Sequence, residues 1–165
     1  MNPISAPPPQ DSRGYFMLPQ QPEGAGYYVY GTPETGAGQY AHPAMLCLLL
    51  FVEREWAASD RRRFGIGNIS QAGGIPYPKH ESHKDGLQVD VRPLRLDGVE
   101  GRVTRFQRDL YDNEATAKLI RIFLSHPLVK VVLFNDADIP GVIPWEGHDD
   151  HFHVGVRAQV TAGTK

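Results

Sequence analysis

Alternation is cleanest in Gly86-Leu87-Gln88-Val89-Asp90-Val91-Arg92, where Leu87, Val89 and Val91 fall on one face and Gln88, Asp90 and Arg92 on the other. The pattern predicts a strand that turns Asp90 away from the core. His151-Phe152-His153-Val154-Gly155-Val156 repeats it, sending Phe152 and Val154 inward and both histidines to a shared face. Phe64 to Ser70 has a period-two pattern around Phe64, Ile66 and Ile69 and stops at the breaker Gly73-Gly74, which reads as a strand and a loop. The apolar run from Val129 to Phe134, bounded by Pro127 and Asn135-Asp136, predicts a central strand.

Two other segments follow helical spacing. From His42-Pro43 to Ser59 apolar residues cover more than one face, so a buried helix is expected to start at Pro43. Asp112 or Asn113 is expected to cap a second helix ending near Ser125, with Ala115, Leu119, Ile120, Ile122 and Phe123 as its buried stripe. Residues 1–40, rich in Pro, Gly and Gln, read as an irregular arm wrapping a single domain over 41–160. Few strands and few helices in mixed order predict an α+β fold with a small, mainly antiparallel sheet flanked by helices.

Composition narrows the function classes. At 165 residues with 41% hydrophobic and 22% charged side chains, the chain can bury one ordinary core. A net charge of −2 gives no electrostatic footprint for nucleic acid, and Arg61-Arg62-Arg63 reads as a solvated loop. The apolar stretch Ala44 to Val52 has nine residues against the roughly 20 that cross a bilayer, so no membrane span is expected. Cys47 lies inside it as the only cysteine, which excludes an intrachain disulfide and a cysteine-based zinc ribbon; it reads as a small buried hydrophobe. Met1 to Gln21 holds no apolar stretch behind a basic start and does not resemble a signal peptide.

The candidate chemistry lies in the histidines. Of seven, five fall in two short segments: His80 and His83, then His148, His151 and His153. The first offers imidazoles from a loop, with Gly86 as the turn into the strand that carries Asp90. The second places His151 and His153 roughly 6 to 7 Å apart on one strand face. Three ligands of the His, His, Asp kind leave a position open on tetrahedral zinc, the arrangement of a catalytic site. Zinc so held brings a water's pKa to about 7 and polarises a carbonyl, and an uncoordinated histidine beside it can move the proton. By spacing alone, surface histidines also occur as His-x-His in strands and His-x-x-His in loops; the two halves together favour a metal. Glu146 and Asp150 are further candidates for a general base, with Asp150 well behind His151. Trp145 suits a packing anchor ahead of a stacking surface for substrate, His42 a helix start ahead of a place in the groove, and Arg92 either a substrate carboxylate or an acidic partner.

These residues, taken in order, resemble the penicillin-insensitive murein endopeptidases, within the larger group that includes lysostaphin-type enzymes, D-Ala-D-Ala peptidases and the hedgehog signalling domain. Tyr40-Ala41-His42-Pro43 is similar to the family's Tyr-x-x-His-Pro helix start, displaced by one residue. Gly73-Gly74, His80-Glu81-Ser82-His83 and Gly86-Leu87-x-x-Asp90 follow, then Ser125-His126-Pro127-Leu128-Val129, then Pro144-Trp145 leading into His148-x-x-His151-x-His153. The resemblance spans about residues 40–157. It implies that His83, Asp90 and His153 are Zn2+ ligands, that His151 is the catalytic histidine assisted by His148, and that His80 sits beside the metal or the substrate.

It also implies a hedgehog-like or D-Ala-D-Ala-peptidase-like fold and the D-Ala to meso-diaminopimelate cross-bridge of peptidoglycan as substrate. A carboxypeptidase, an L,D-endopeptidase or a non-catalytic zinc-stabilised binding module are the alternatives. Gln88 stands where the family often has an acid, Gly155 where an Arg is common, and the cysteines of periplasmic members are missing. A member of this kind is expected to reach the periplasmic wall through phage lysis or a secretion system, with a secretion or immunity protein as partner.

Overall fold

The computed structural model describes residues 8–20, 22–77 and 82–159. Its elements run β1 (Phe16–Met17), β2 (Tyr27–Val29), β3 (Tyr40–Ala41), α1 (Pro43–Ala57), β4 (Phe64–Ile66), β5 (Gln88–Val91), α2 (Asn113–Ser125), β6 (Val129–Leu133) and β7 (Phe152–Val156). The main sheet has the order β2-β4-β5-β7-β6, with β2 parallel to β4 and the other neighbours antiparallel. This is the α+β arrangement that the element order predicts. Among the described residues no helix is long and apolar enough to cross a membrane.

Both helices begin where their caps dictate. His42 accepts the Ala44 amide on Nδ1 at 3.0 Å and Pro43 fills the first turn, where its missing N–H costs nothing. Asp112 accepts the Ala115 amide at 2.9 Å and is held from outside by Arg62, which also grips Asp60. Helix α1 buries Met45, Leu48, Leu49, Val52 and Trp56 and packs against α2, which buries Leu119, Ile120 and Phe123. Cys47 corrects one expectation: it is exposed, because it falls on the outer face of α1 between Met45 and Leu48.

Edge-to-face aromatic contacts tie helices to sheet. Trp56 meets Phe64 at 6.5 Å, Phe64 meets Phe123 at 6.3 Å, and Phe152 meets Phe123 at 5.7 Å and Phe134 at 6.0 Å. Such a core fixes the inner face of β5 and β7, where Val89, Val91, Phe152 and Val154 are fully buried.

Two other expectations change. The run from Val129 forms an edge strand of the sheet, not a central one; part of its free backbone edge is met by Ile143, whose N–H donates to Val132 while Phe134 N–H donates to Ile143. The segment read as an irregular arm contributes β2 to the main sheet and the β1–β3 pair beside it.

Phe152 is fully buried between Phe123 and Phe134. Phe152→Ala is expected to destabilise the protein by about 3–5 kcal/mol, read as a lower urea midpoint at unchanged slope.

Candidate metal centre

Asp90 Oδ1 is a point of convergence. His83 Nε2 lies 3.2 Å from it and His153 Nδ1 3.1 Å. Register brings the second pair together, since Asp90 sits directly opposite His153 across β5 and β7 and paired side chains share a face. Alternation sends Asp90 off the apolar face as expected, yet it is buried, because His83 closes over it from the loop before β5. That loop turns at Gly86, whose φ is +71°; a Cβ there would stand 2.7 Å from the His42 backbone nitrogen, which donates to the Gly86 carbonyl.

The tautomer of His83 follows from its other side. Nδ1 lies 3.2 Å from the Ile69 carbonyl oxygen, which only accepts, so Nδ1 carries the proton and Nε2 turns a lone pair toward the Asp90 carboxylate. Two acceptors at that separation repel unless a proton or a cation lies between them. The ligand atoms of His83, Asp90 and His153 all lie within 4.8 Å of one another, and the three side chains are buried. A tetrahedral site with bonds of about 2.1 Å spaces its ligand atoms about 3.4 Å apart. Donor set, spacing, burial and the carbonyl behind His83 all fit a divalent metal ion. Burial pushes the Asp90 carboxyl up, but the hydrogen bond from His153 leads the contacts that outweigh it and hold the group well below the usual carboxylate range.

Two further imidazoles stand on one side of this group. His151 Nε2 lies 3.9 Å from Asp90 Oδ1, while its Nδ1 lies 2.9 Å from Asp150 Oδ1. The His148 ring is 4.8 Å from that of His151 and 5.9 Å from that of His153. Burial, then the neighbouring His151, pushes the His148 pKa down, which favours its neutral form. Asn135 steadies the His148 loop, its amide donating to the His148 carbonyl at 2.9 Å and its side chain to Asp149 at 2.7 Å.

Asp150 is the second organising carboxylate. Arg92 reaches its Oδ2 at 2.6 Å, Arg102 Nε the same oxygen at 2.7 Å, and His151 takes Oδ1. The His151 hydrogen bond lowers the Asp150 pKa, burial opposes it and Arg92 adds to the lowering, so the group is ionised at neutral pH. Arg92 stays in place by lying 4.2 Å over the Tyr30 ring. That ring lies over Gly67, just after β4, where a Cβ would meet it at 2.5 Å. The sequence pattern put Arg92 on the face of Asp90 without naming its partner; Asp150, immediately before His151, was the signal available.

Thus His83, Asp90, His153, His151 and His148 come together as expected, while His80 lies outside the described residues. Glu146 is exposed and approaches His148 only through its backbone carbonyl. Trp145, expected as a packing anchor, is 55% exposed, because the turn it starts carries it past the sheet edge. His42 serves α1 as its cap.

No known protein-family profile matches the chain. It is similar to a penicillin-insensitive murein endopeptidase of Haemophilus influenzae, 28% identical over 145 residues, an alignment that covers 70% of this chain and 50% of that protein. The chain thus spans about half the length of the curated relative it matches.

The purified protein is expected to bind a divalent ion that resists dialysis. His83→Ala, Asp90→Ala and His153→Ala should each lose it, measured by elemental mass spectrometry. Full retention in all three would remove the ligand assignment.

Proposed function

We propose that this chain is a zinc-dependent peptidoglycan D,D-endopeptidase, hydrolysing D-Ala to meso-diaminopimelate cross-links. The observation that carries the reading is a buried His83, Asp90 and His153 group with two more imidazoles on one side. Similarity to a murein endopeptidase supports the substrate class. His83 Nε2, Asp90 Oδ1 and His153 Nδ1 would hold the zinc. When bound there, zinc supplies Lewis acidity, polarising a carbonyl oxygen and making water a competent nucleophile near neutral pH.

The protein's own residues handle the protons. His151 presents Nε2 toward the group and keeps Nδ1–H on the Asp150 carboxylate, so its tautomer suits a general base. Nε2 takes a proton from the attacking water and delivers it to the departing amine. The imidazolium that exists in between is offset by Asp150, which Arg92 keeps in position. His148, one ring away, orients substrate or passes protons to His151. A purely structural metal has no use for two uncoordinated imidazoles, which weighs against a binding module.

Digestion of purified cross-linked muropeptide dimers, with products identified by mass, tests the reading. Monomer production should stop on chelation and be indifferent to β-lactams, since no serine nucleophile takes part. His151→Ala should keep the metal and lose about 10²- to 10⁴-fold in turnover. Loss of terminal D-Ala alone would mark a carboxypeptidase, normal cleavage by both His151→Ala and His153→Ala would remove catalysis from this site, and no cleavage by the unmodified protein would end the enzymatic reading.

Asp150→Asn should keep the metal and lower kcat more than KM, because the amide holds the ring but not the imidazolium charge. An unchanged kcat would show that His151 needs no carboxylate behind it.

A further inference from the structure

Arginine pairing in this part of the protein is uneven. Arg95 is matched to Asp97 at 2.9 Å, Arg63 to Glu100 at 2.6 Å, and Arg92 to Asp150 at 2.6 Å. Asp150 also receives the His151 Nδ1–H, so it has two partners before Arg102 arrives as a third. Among the described residues, Asp150 is the one ion-pair partner of the Arg102 side chain. Arg102 is therefore a second guanidinium on a carboxylate that Arg92 already neutralises.

Arg102 brings Nε to 2.7 Å of the Asp150 carboxylate while its side chain stays 70% exposed, whereas that of Arg92 is 18% exposed and stacked on Tyr30. The loop that carries Arg102 is pinned beside it, where the Gly101 amide donates to the Tyr28 hydroxyl at 3.0 Å. An exposed guanidinium next to a carboxylate that another arginine already neutralises has donors to spare, and its planar fork can take a second carboxylate in bidentate fashion. Asp150 bridges Arg102 to His151, so the fork stands one side chain away from the proposed proton carrier.

We propose that Arg102 anchors a substrate carboxylate beside the bond that is cut, and so sets specificity for amides whose nitrogen sits on a carboxylate-bearing carbon. The inference rests on the endopeptidase reading and deepens it. In a D-Ala to meso-diaminopimelate cross-link, the carbon holding the departing nitrogen also holds a free carboxylate. Arg102 would bind that group and fix the leaving side, while His151 delivers its proton to the amine.

The test compares two acyl-D-alanyl-diaminopimelate probes, one with the free carboxylate beside the scissile amide and one with a carboxamide there, on the zinc-loaded full chain. The unmodified protein should prefer the carboxylate about 10-fold or more in kcat/KM, as a hydrogen-bonded charge contributes in recognition. Arg102→Ala should erase the preference, chiefly through KM on the carboxylate probe, and Arg102→Lys should keep part of it. Equal losses on both probes would reduce Arg102 to a prop for Asp150 and overturn the proposal, as would an unmodified protein with no preference. Calorimetric titration with free diaminopimelate supplies a readout without turnover: saturable binding that Arg102→Ala abolishes supports the anchor, and identical binding overturns it. If neither probe nor muropeptide dimers are cut while that binding difference persists, the endopeptidase reading has failed and the anion site stands.

Discussion

The site is organised around one buried carboxylate. Asp90 lies across from His153 in the sheet and beneath His83, with no bulk water to solvate its charge. An ionised carboxylate in such surroundings costs several kcal/mol unless it is paired. His153 meets that need with a hydrogen bond, whereas His83 spends its Nδ1 proton on the Ile69 carbonyl and shows Asp90 a lone pair. A cation held among the three atoms would satisfy the His83 lone pair and the Asp90 charge together.

Such a group needs a rigid support, and the opposite face of the same strands provides it. Val89 and Val91 on β5 alternate with Asp90, and Phe152 and Val154 on β7 alternate with His153. Each ligand is therefore flanked along its strand by side chains locked into the aromatic core. Displacing Asp90 from His153 would require a register slip, and a slip of one residue would turn Phe152 out of its contacts with Phe123 and Phe134. Packing energy that has nothing to do with chemistry thereby holds the ligand geometry.

Period-two patterns made β5 and β7 legible in the sequence, along with the turn of Asp90 and of His153 off the apolar face, since alternation survives wherever one face meets a core. Helix α2 was equally plain from its cap at Asp112 and its stripe. What the pattern could not supply was long-range pairing. Nothing local says that the run from Val129 would end at the sheet edge with Ile143 bridged to it, or that residues 27–29 would join the sheet in parallel with β4. Nor does spacing reveal that Arg92 and Arg102, from separate stretches, would meet on Asp150. Cys47 was misread for a simpler reason, because hydrophobicity counted along α1 does not tell which of its nearly all-apolar faces looks outward.

His151 and His153 illustrate how much of a site lies beyond residue type. They are chemically identical, two positions apart and on one face, so neither composition nor alternation separates a ligand from a proton carrier. The carboxylate that engages Nδ1 does separate them. His153 turns Nδ1 to Asp90, which places that nitrogen inside the buried group. His151, one step outside β7, turns Nδ1 to Asp150 at the rim and leaves Nε2 toward the same group from a longer 3.9 Å. Asp150 can hold it there only because Arg92, braced on Tyr30 over the bare backbone of Gly67, holds Asp150 in turn. The proposed distinction between binding a metal and working beside it thus reaches back to Gly67, just past β4, where a Cβ would stand 2.5 Å from the Tyr30 ring that braces Arg92.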